Sequence, residues 1–373
     1  MALPSRVTPG PPDALLCELT YRCPLRCGYC SNPVDWPRFR AELDTPTWRR
    51  VLDEAAAMGA LHAHFSGGEP LLRDDLEALI AHAHGRGLYT NLITSAVGLD
   101  TARLDALVGA GVEHVQVSFQ SSEAAEGDAI AGLTVHAQKL RVAEAVAARG
   151  VALSLNVVLH ALNLSRVDAM IALAASLGAC RIELANTQFH GSALANVDAL
   201  LPRREALDEA WAAVEARRAR HRGALDIVWV MPDYVSDRPR RCTDGWGSRF
   251  VTVDPEGTVW PCAGAHGLPG MERASVRTRG LADIWVNGLD FNRFRGTAWM
   301  PEPCQSCPER HLDLGGCRCQ AFALTGVVDA TDPACDRAPA HGRIVEARAR
   351  AAQRTETPLV PLRRRRADPA QSH

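Results

Sequence analysis

Over the first two thirds of the chain, short apolar runs alternate with longer stretches whose apolar residues recur at helical spacing. The short runs, residues 15–20, 63–66, 89–94, 114–119, 152–159 and 181–185, are apolar enough to read as strands buried on both faces. The helical patterns between and after them cover residues 47–58, 75–86, 101–110, 136–149, 166–177 and 205–220. Many stop at a glycine, among them Gly59, Gly87 and Gly111, the residue type that most readily takes the left-handed turn closing a helix. Strand and helix in alternation predict an α/β fold with a parallel sheet and helices outside it. Periodicity alone fits a doubly wound open sheet as well as a (β/α) barrel.

Beyond about Val235 the rhythm stops, and tryptophan, glycine and proline join a dense set of cysteines. Such a segment cannot fill a core by apolar burial alone, so bound metal centres are expected to order it. The whole chain has 373 residues, 47% of them hydrophobic, enough for one large core and a smaller one. Its formal net charge of −2 supplies no bulk field for nucleic acid or a membrane surface. The first dozen residues are rich in proline and lack an apolar signal core, and no run is long enough to span a bilayer. With those features absent, twelve cysteines predict metal ligation in a reducing cytoplasm, not disulfides.

Cys23, Cys27 and Cys30 follow the first strand with gaps of three and two residues. Three thiolates leave one iron of a four-iron cluster open to a small molecule. Three thiolates on one loop also suit part of a zinc site, although zinc ribbons pair such a loop with a second C-x2-C or with histidines. Ser66-Gly67-Gly68-Glu69-Pro70 follows the second strand. Paired glycines let backbone approach a ligand closely, and a carboxylate accepts hydrogen bonds from an ammonium group. In isolation, Gly-Gly-Glu-Pro reads as a plain turn.

Together the two segments resemble the cysteine loop and GGE motif of the radical S-adenosylmethionine (SAM) family. The resemblance implies a partial (β/α)6 TIM-like barrel with a [4Fe-4S] cluster on Cys23, Cys27 and Cys30. SAM would cap the open iron, its amino group held by Gly67, Gly68 and Glu69. Polar residues at later strand ends, Thr94, Ser95, Ser118, Gln120 and Asn156, become candidate SAM contacts, and Lys139 a candidate partner of its carboxylate. Taken alone, each reads as a satisfied polar group at a strand end, and Lys139 as a solvated helix lysine.

The later cysteines, Cys242, Cys262, Cys304, Cys307, Cys317, Cys319 and Cys335, resemble a SPASM domain, an extension that carries two auxiliary iron–sulfur clusters. Its middle motif, C-x2-C-x5-C-x3-C, started on Cys304, puts the third slot at Asp313. Seven cysteines and this carboxylate complete eight ligands for two four-ligand clusters. The resemblance assigns Cys242, Cys262, Cys317 and Cys319 to one cluster and Cys304, Cys307, Asp313 and Cys335 to the other, each [4Fe-4S] or [2Fe-2S]. The alternative is that Asp313 is an ordinary surface acid beside a cluster with an open iron. Cys17 and Cys180 read as small buried hydrophobes. The implied division is a tail at 1–12, a radical SAM barrel at 13–235, a SPASM domain at 236–342 and a basic, flexible tail at 343–373 containing Arg363–Arg366.

Longer phrases, including Tyr29-Cys30-Ser31-Asn32-Pro33, Gly245-Trp246-Gly247 and Gly315-Gly316-Cys317-Arg318-Cys319-Gln320, narrow the resemblance to the peptide cyclases of pyrroloquinoline quinone (PQQ) biosynthesis. Their chemistry implies reductive cleavage of SAM to a 5′-deoxyadenosyl radical that takes a hydrogen from a glutamate γ-carbon of the PqqA precursor peptide. The carbon radical then adds to a tyrosine ring, and the auxiliary clusters are expected to accept the electron lost on rearomatisation or to position the substrate. Gln188, His190 and Asp233 are candidate bases. Implied partners are the PqqA precursor peptide, a separate PqqD-like peptide chaperone and an electron donor such as flavodoxin. Ala161, Phe189, His190 and Ser192 depart from the family pattern and are expected to affect the substrate channel. Two other readings stay open: another SPASM peptide or sulfatase maturase, and a non-catalytic iron–sulfur or zinc protein.

Overall fold

The structure is a computed structural model that describes residues 9–34, 41–230, 233–235 and 238–354. The described residues build one sheet from β1 (Ala14–Thr20), β2 (His62–Gly67), β3 (Tyr89–Thr94), β4 (His114–Phe119), β5 (Ala152–Leu159), β6 (Arg181–Asn186), β7 (Asp226–Trp229), β8 (Phe250–Val253) and β9 (Val259–Trp260). Their spatial order is β7-β6-β5-β4-β3-β2-β1-β8-β9. From β1 to β7 each strand pairs in parallel with the next in sequence. A doubly wound sheet reverses its strand order at a switch point, and this one does not, so the barrel-type winding is the correct alternative. The sheet is not closed: β7 and β9 form its edges.

One expectation needs correction, because the strands are apolar on one face only. Leu15, Leu19, Phe65, Leu92, Val115 and Leu155 pack with helix residues such as Val51, Leu79, Leu107, Val146 and Ile171 in the main core. The opposite face is polar: His64 is in register with Asn91, Asn91 with His114, Ser118 with Asn156, and Asn156 with Glu183. Paired residues of a parallel sheet share a face, so these side chains line the concave interior of an open barrel. A closed barrel would fill that interior with apolar layers; an open one keeps it polar.

The segment after residue 235 adds β8 in parallel to the outer edge of β1, Ala14 opposite Phe250 and Cys17 opposite Val253, so the cysteine-rich part also covers an exposed sheet edge. The tail expected from residue 343 is instead the helix Gly342–Gln353, whose Ile344 and Ala351 enter the main core. Arg354 holds it to the barrel by donating to the carbonyls of Asp198 at 2.6 Å and Leu201 at 3.0 Å. The Arg363–Arg366 run lies outside the described residues. Cys17 is buried as expected, but Cys180 is exposed, its thiol donating to the Leu153 carbonyl at 3.2 Å. No helix among the described residues is long and apolar enough to cross a membrane.

Candidate active site

The C-terminal ends of β1 and β2 bring the cysteine loop and the paired glycines into contact. Gly68 donates its amide to the Thr20 carbonyl at 2.6 Å, and Glu69 donates to the Arg22 carbonyl at 2.8 Å. A Cβ on Gly67 would collide with the Thr20 carbonyl oxygen and one on Gly68 with that of Arg22, so only glycine lets the two backbones approach this closely. Asn32, at the far end of the loop, donates from Nδ2 to the Gly67 carbonyl at 2.8 Å. A cavity of about 170 Å³ results, and its wall includes Cys23, Cys27, Cys30, Gly67, Gly68 and Ser118. Thr94, Ser95 and Gln120 also border it.

The remaining candidates on this side take other places. Glu69 is fully buried and does not reach the cavity wall. Its carboxylate accepts from Thr94 Oγ1 at 2.7 Å, from the Ser95 amide at 2.7 Å, from the Ser95 hydroxyl, and from the Leu71 amide at 3.1 Å. Burial raises its pKa against the pull of these donors. Glu69 therefore ties β2 to the end of β3. Lys139 is neither solvated nor on the cavity wall: it is buried on the helix His136–Ala148, and its ammonium donates to Gln120 Oε1 at 2.5 Å. Desolvation lowers its pKa to about 8. Asn156 sits beside Ser118 on the interior face but does not border the cavity.

A second group of thiols forms where the cysteine-rich segment folds over the barrel mouth. Cys242, Cys262, Cys317 and Cys319 border one cavity of about 400 Å³. Backbone amides of Gly264 and Gln320 point at the Cys262 and Cys317 sulfurs, each at 3.4 Å. Fully buried Asp332 fixes the Cys317 turn by accepting from the Cys317 amide at 2.7 Å, Gln320 Nε2 at 2.8 Å and the Ala334 amide at 3.0 Å. Sequence reasoning passed over Asp332, which carries no motif spacing.

The third group contains the four residues aligned with the last ligand set. Cys304, Cys307, Asp313 and Cys335 border a single small pocket with Arg310 and Arg337. Asp313 Oδ1 accepts from the Gly315 amide at 2.8 Å, which orients the carboxylate. Arg337 donates to the Cys307 sulfur at 3.3 Å and Arg238 to that of Cys335 at 3.5 Å. Hydrogen bonds to sulfur would shape the potential of a cluster held there, so these arginines join the candidate site although their spacing gave no signal.

Of the candidate bases and divergent residues, Gln188, Phe189, His190 and Asp233 border the 400 Å³ cavity, whereas Ala161 and Ser192 do not. Asp233 accepts from Arg240 at 2.8 Å. The chain after β6 separates the two cavities: Ala193 donates to the Cys30 carbonyl at 3.2 Å, and Asn196 Nδ2 to that of Gly28 at 3.0 Å.

Among the described residues, no group of three or more His, Cys, Asp or Glu side chains is arranged to hold a single metal ion. The donor sets instead suit larger sulfide clusters: one loop of three thiols beside an open cavity, four thiols around a second cavity, and three thiols with a carboxylate.

Comparison with known proteins agrees. Residues 17–174 match the radical SAM superfamily, and residues 242–308 match the SPASM iron–sulfur cluster-binding domain. The crystal structure of Streptococcus suis SuiB bound to S-adenosylmethionine superposes with a TM-score of 0.70 at 15% identity, covering 88% of this chain and 77% of that one. Native anSMEcpe with bound AdoMet and the Cp18Cys peptide gives 0.65 at 14%, covering 90% and 96%. These likenesses establish the fold. In sequence, the PqqA peptide cyclase of Granulibacter bethesdensis is 49% identical over 338 residues, 90% of each chain. That of Gluconobacter oxydans is 50% identical over 340 residues, 91% of this chain and 94% of the relative. The chain belongs to the PqqA peptide cyclase family of radical SAM enzymes.

Proposed function

We propose that this enzyme joins a glutamate γ-carbon to a tyrosine ring within the PqqA precursor peptide, an early step of PQQ biosynthesis. The observation that carries the reading is identity near one half, across nine tenths of both chains, to relatives named for cyclising that peptide. Bound at Cys23, Cys27 and Cys30, a reduced [4Fe-4S] cluster with SAM supplies a 5′-deoxyadenosyl radical for hydrogen abstraction.

The chain's own residues position and shield that chemistry. Gly67 and Gly68 present bare backbone to the methionine end of SAM, and Asn32 keeps the Gly67 carbonyl in place. Thr94, Ser95 and Ser118 offer hydroxyls from adjacent strand ends, with Glu69 holding the first two from behind. Cys242, Cys262, Cys317 and Cys319 hold one auxiliary cluster, and Cys304, Cys307, Asp313 and Cys335 the other. The 400 Å³ cavity beside the former set, bordered by Phe189, Leu194 and Leu324, gives an aromatic side chain a water-poor seat. Delivery of the peptide falls to a separate PqqD-like chaperone, and reduction to a donor such as flavodoxin.

Tandem mass spectrometry of the precursor peptide tests the proposal after incubation with reduced enzyme, SAM and chaperone. The expected product is two hydrogens lighter, with fragmentation suppressed between the joined glutamate and tyrosine. Release of 5′-deoxyadenosine with a peptide of unchanged mass would contradict it.

A further inference from the structure

Lys139 is 1% exposed and lies behind the cysteine loop, outside the SAM cavity. An ammonium has three protons and no lone pair, so its 2.5 Å contact with Gln120 Oε1 fixes which way the Gln120 amide points. The NH2 end then donates to the Tyr29 hydroxyl oxygen at 2.9 Å. Tyr29 keeps its own proton, and it packs against Leu25, Cys27 and Val135 on the wall of the same cavity. The relay is braced from the far side, where Asn163 Nδ2 donates to the Gln120 carbonyl at 2.9 Å. Both hydrogen bonds thus run in one direction, from a buried cation to the cysteine loop.

A buried ammonium is costly unless a negative charge answers it. The groups around Lys139 able to carry negative charge are Cys27, Cys23, Glu69 and Asp128. Glu69 is already saturated by the donors of β3, and Asp128 Oδ1 accepts the amides of Val135 and His136, each at 2.8 Å. That leaves the cysteine loop, which becomes negative when its thiols ligate a cluster as thiolates and more so when that cluster takes up an electron.

We propose that Lys139, Gln120 and Tyr29 form a polarised hydrogen-bond chain that ends on the cysteine loop and raises the reduction potential of the cluster on Cys23, Cys27 and Cys30. Charge and hydrogen bonds at cluster sulfurs set such potentials, and successive hydrogen bonds in a dry interior strengthen one another. A cation held two side chains away favours the reduced cluster while leaving the SAM cavity free of a competing ammonium. The three are positioning residues, and the inference rests on the cluster assignment above.

The test is a redox titration of the reconstituted full-length enzyme, following by electron paramagnetic resonance the one signal that changes when SAM is added. Tyr29→Phe keeps the ring and cuts the last link; Lys139→Met keeps the length and removes the charge. Each is expected to move the midpoint to more negative potential at unchanged iron content, and Lys139→Met to move it less in the Tyr29→Phe background than alone. Should Lys139→Met fail to load iron, Tyr29→Phe decides alone. Midpoints equal to wild type with the SAM-responsive signal intact would overturn the inference and leave the cluster assignment standing. A wild type with no SAM-responsive signal would overturn the assignment, and the inference with it.

Discussion

The Tyr21 hydroxyl lies 2.9 Å from His266 Nε2, joining residues 245 positions apart. Tyr21 gives its proton to Glu18 Oε2 at 2.6 Å, so Nε2 of His266 is the donor to this pair and carries a hydrogen. The triad links the exit of β1, which borders the 170 Å³ cavity, to the turn Ala263–Gly267 that follows Cys262. His266 also packs on Trp260, with ring centroids 4.6 Å apart. His266→Ala leaves two buried acceptors short of a donor, a loss of about 1–3 kcal/mol. Urea denaturation should register a lower midpoint for this variant, with the added iron loss expected at the Cys262 group.

Gly68 has no room for a side chain. Gly68→Ala must push the Arg22 carbonyl, and with it the cysteine loop, away from β2. Equilibrium dialysis should then show SAM binding at least tenfold weaker, a cost of about 1.4 kcal/mol or more. Gly85→Ala, in a helix with open space around the new methyl, should bind SAM as wild type does.

Asp313 separates ligand from bystander. A carboxylate is a harder donor than a thiolate, so Asp313→Cys should keep the iron of the third site and alter its resonance signal, while Asp313→Ala should lose iron from it. Iron per chain and the resonance spectrum of both variants decide. Full iron and an unchanged spectrum in Asp313→Ala would make Asp313 a surface acid.

The barrel interior predicts a pH dependence. Burial holds His64 and His114 neutral by lowering each pKa to about 4, from an ordinary value near 6.5. The unfolded chain therefore binds protons at these positions before the folded one does. Their contribution to stability is complete above about pH 6.5 and falls as pH drops toward about 4, by up to about 1.4 kcal/mol per pH unit per histidine, less for the part-exposed His114. The stability of wild type relative to His64→Gln, read by urea denaturation, should decline between pH 7 and pH 5. A constant difference would mean that His64 is not held neutral.

Much of this was legible in the sequence because it is local. Six strands alternate with capped helices, and ten cysteines carry their chemistry in their spacing. Asp313 stands out in the sequence because a motif leaves one slot to fill, and it borders the same small pocket as Cys304, Cys307 and Cys335. What was missed depends on distance along the chain. The partner of β8 is β1, more than two hundred residues away, and four residues of Phe250–Val253 carry too little pattern to announce a strand. Lys139 reads as an ordinary helix lysine until Gln120 and Tyr29 are brought beside it by three different elements. Glu69 and Asp332 are of the same kind: their partners, Thr94 and Ser95 or Cys317 and Gln320, are set by tertiary packing.

The central claim is that the thiolates of Cys23, Cys27 and Cys30 leave an iron on which SAM is bound and reductively split. Its most direct test counts the 5′-deoxyadenosine released by the anaerobically reduced enzyme and by Cys27→Ser, under identical SAM and reductant. The account predicts product from wild type and none above background from the variant. Equal release from both, or none from a fully iron-loaded wild type, would contradict it.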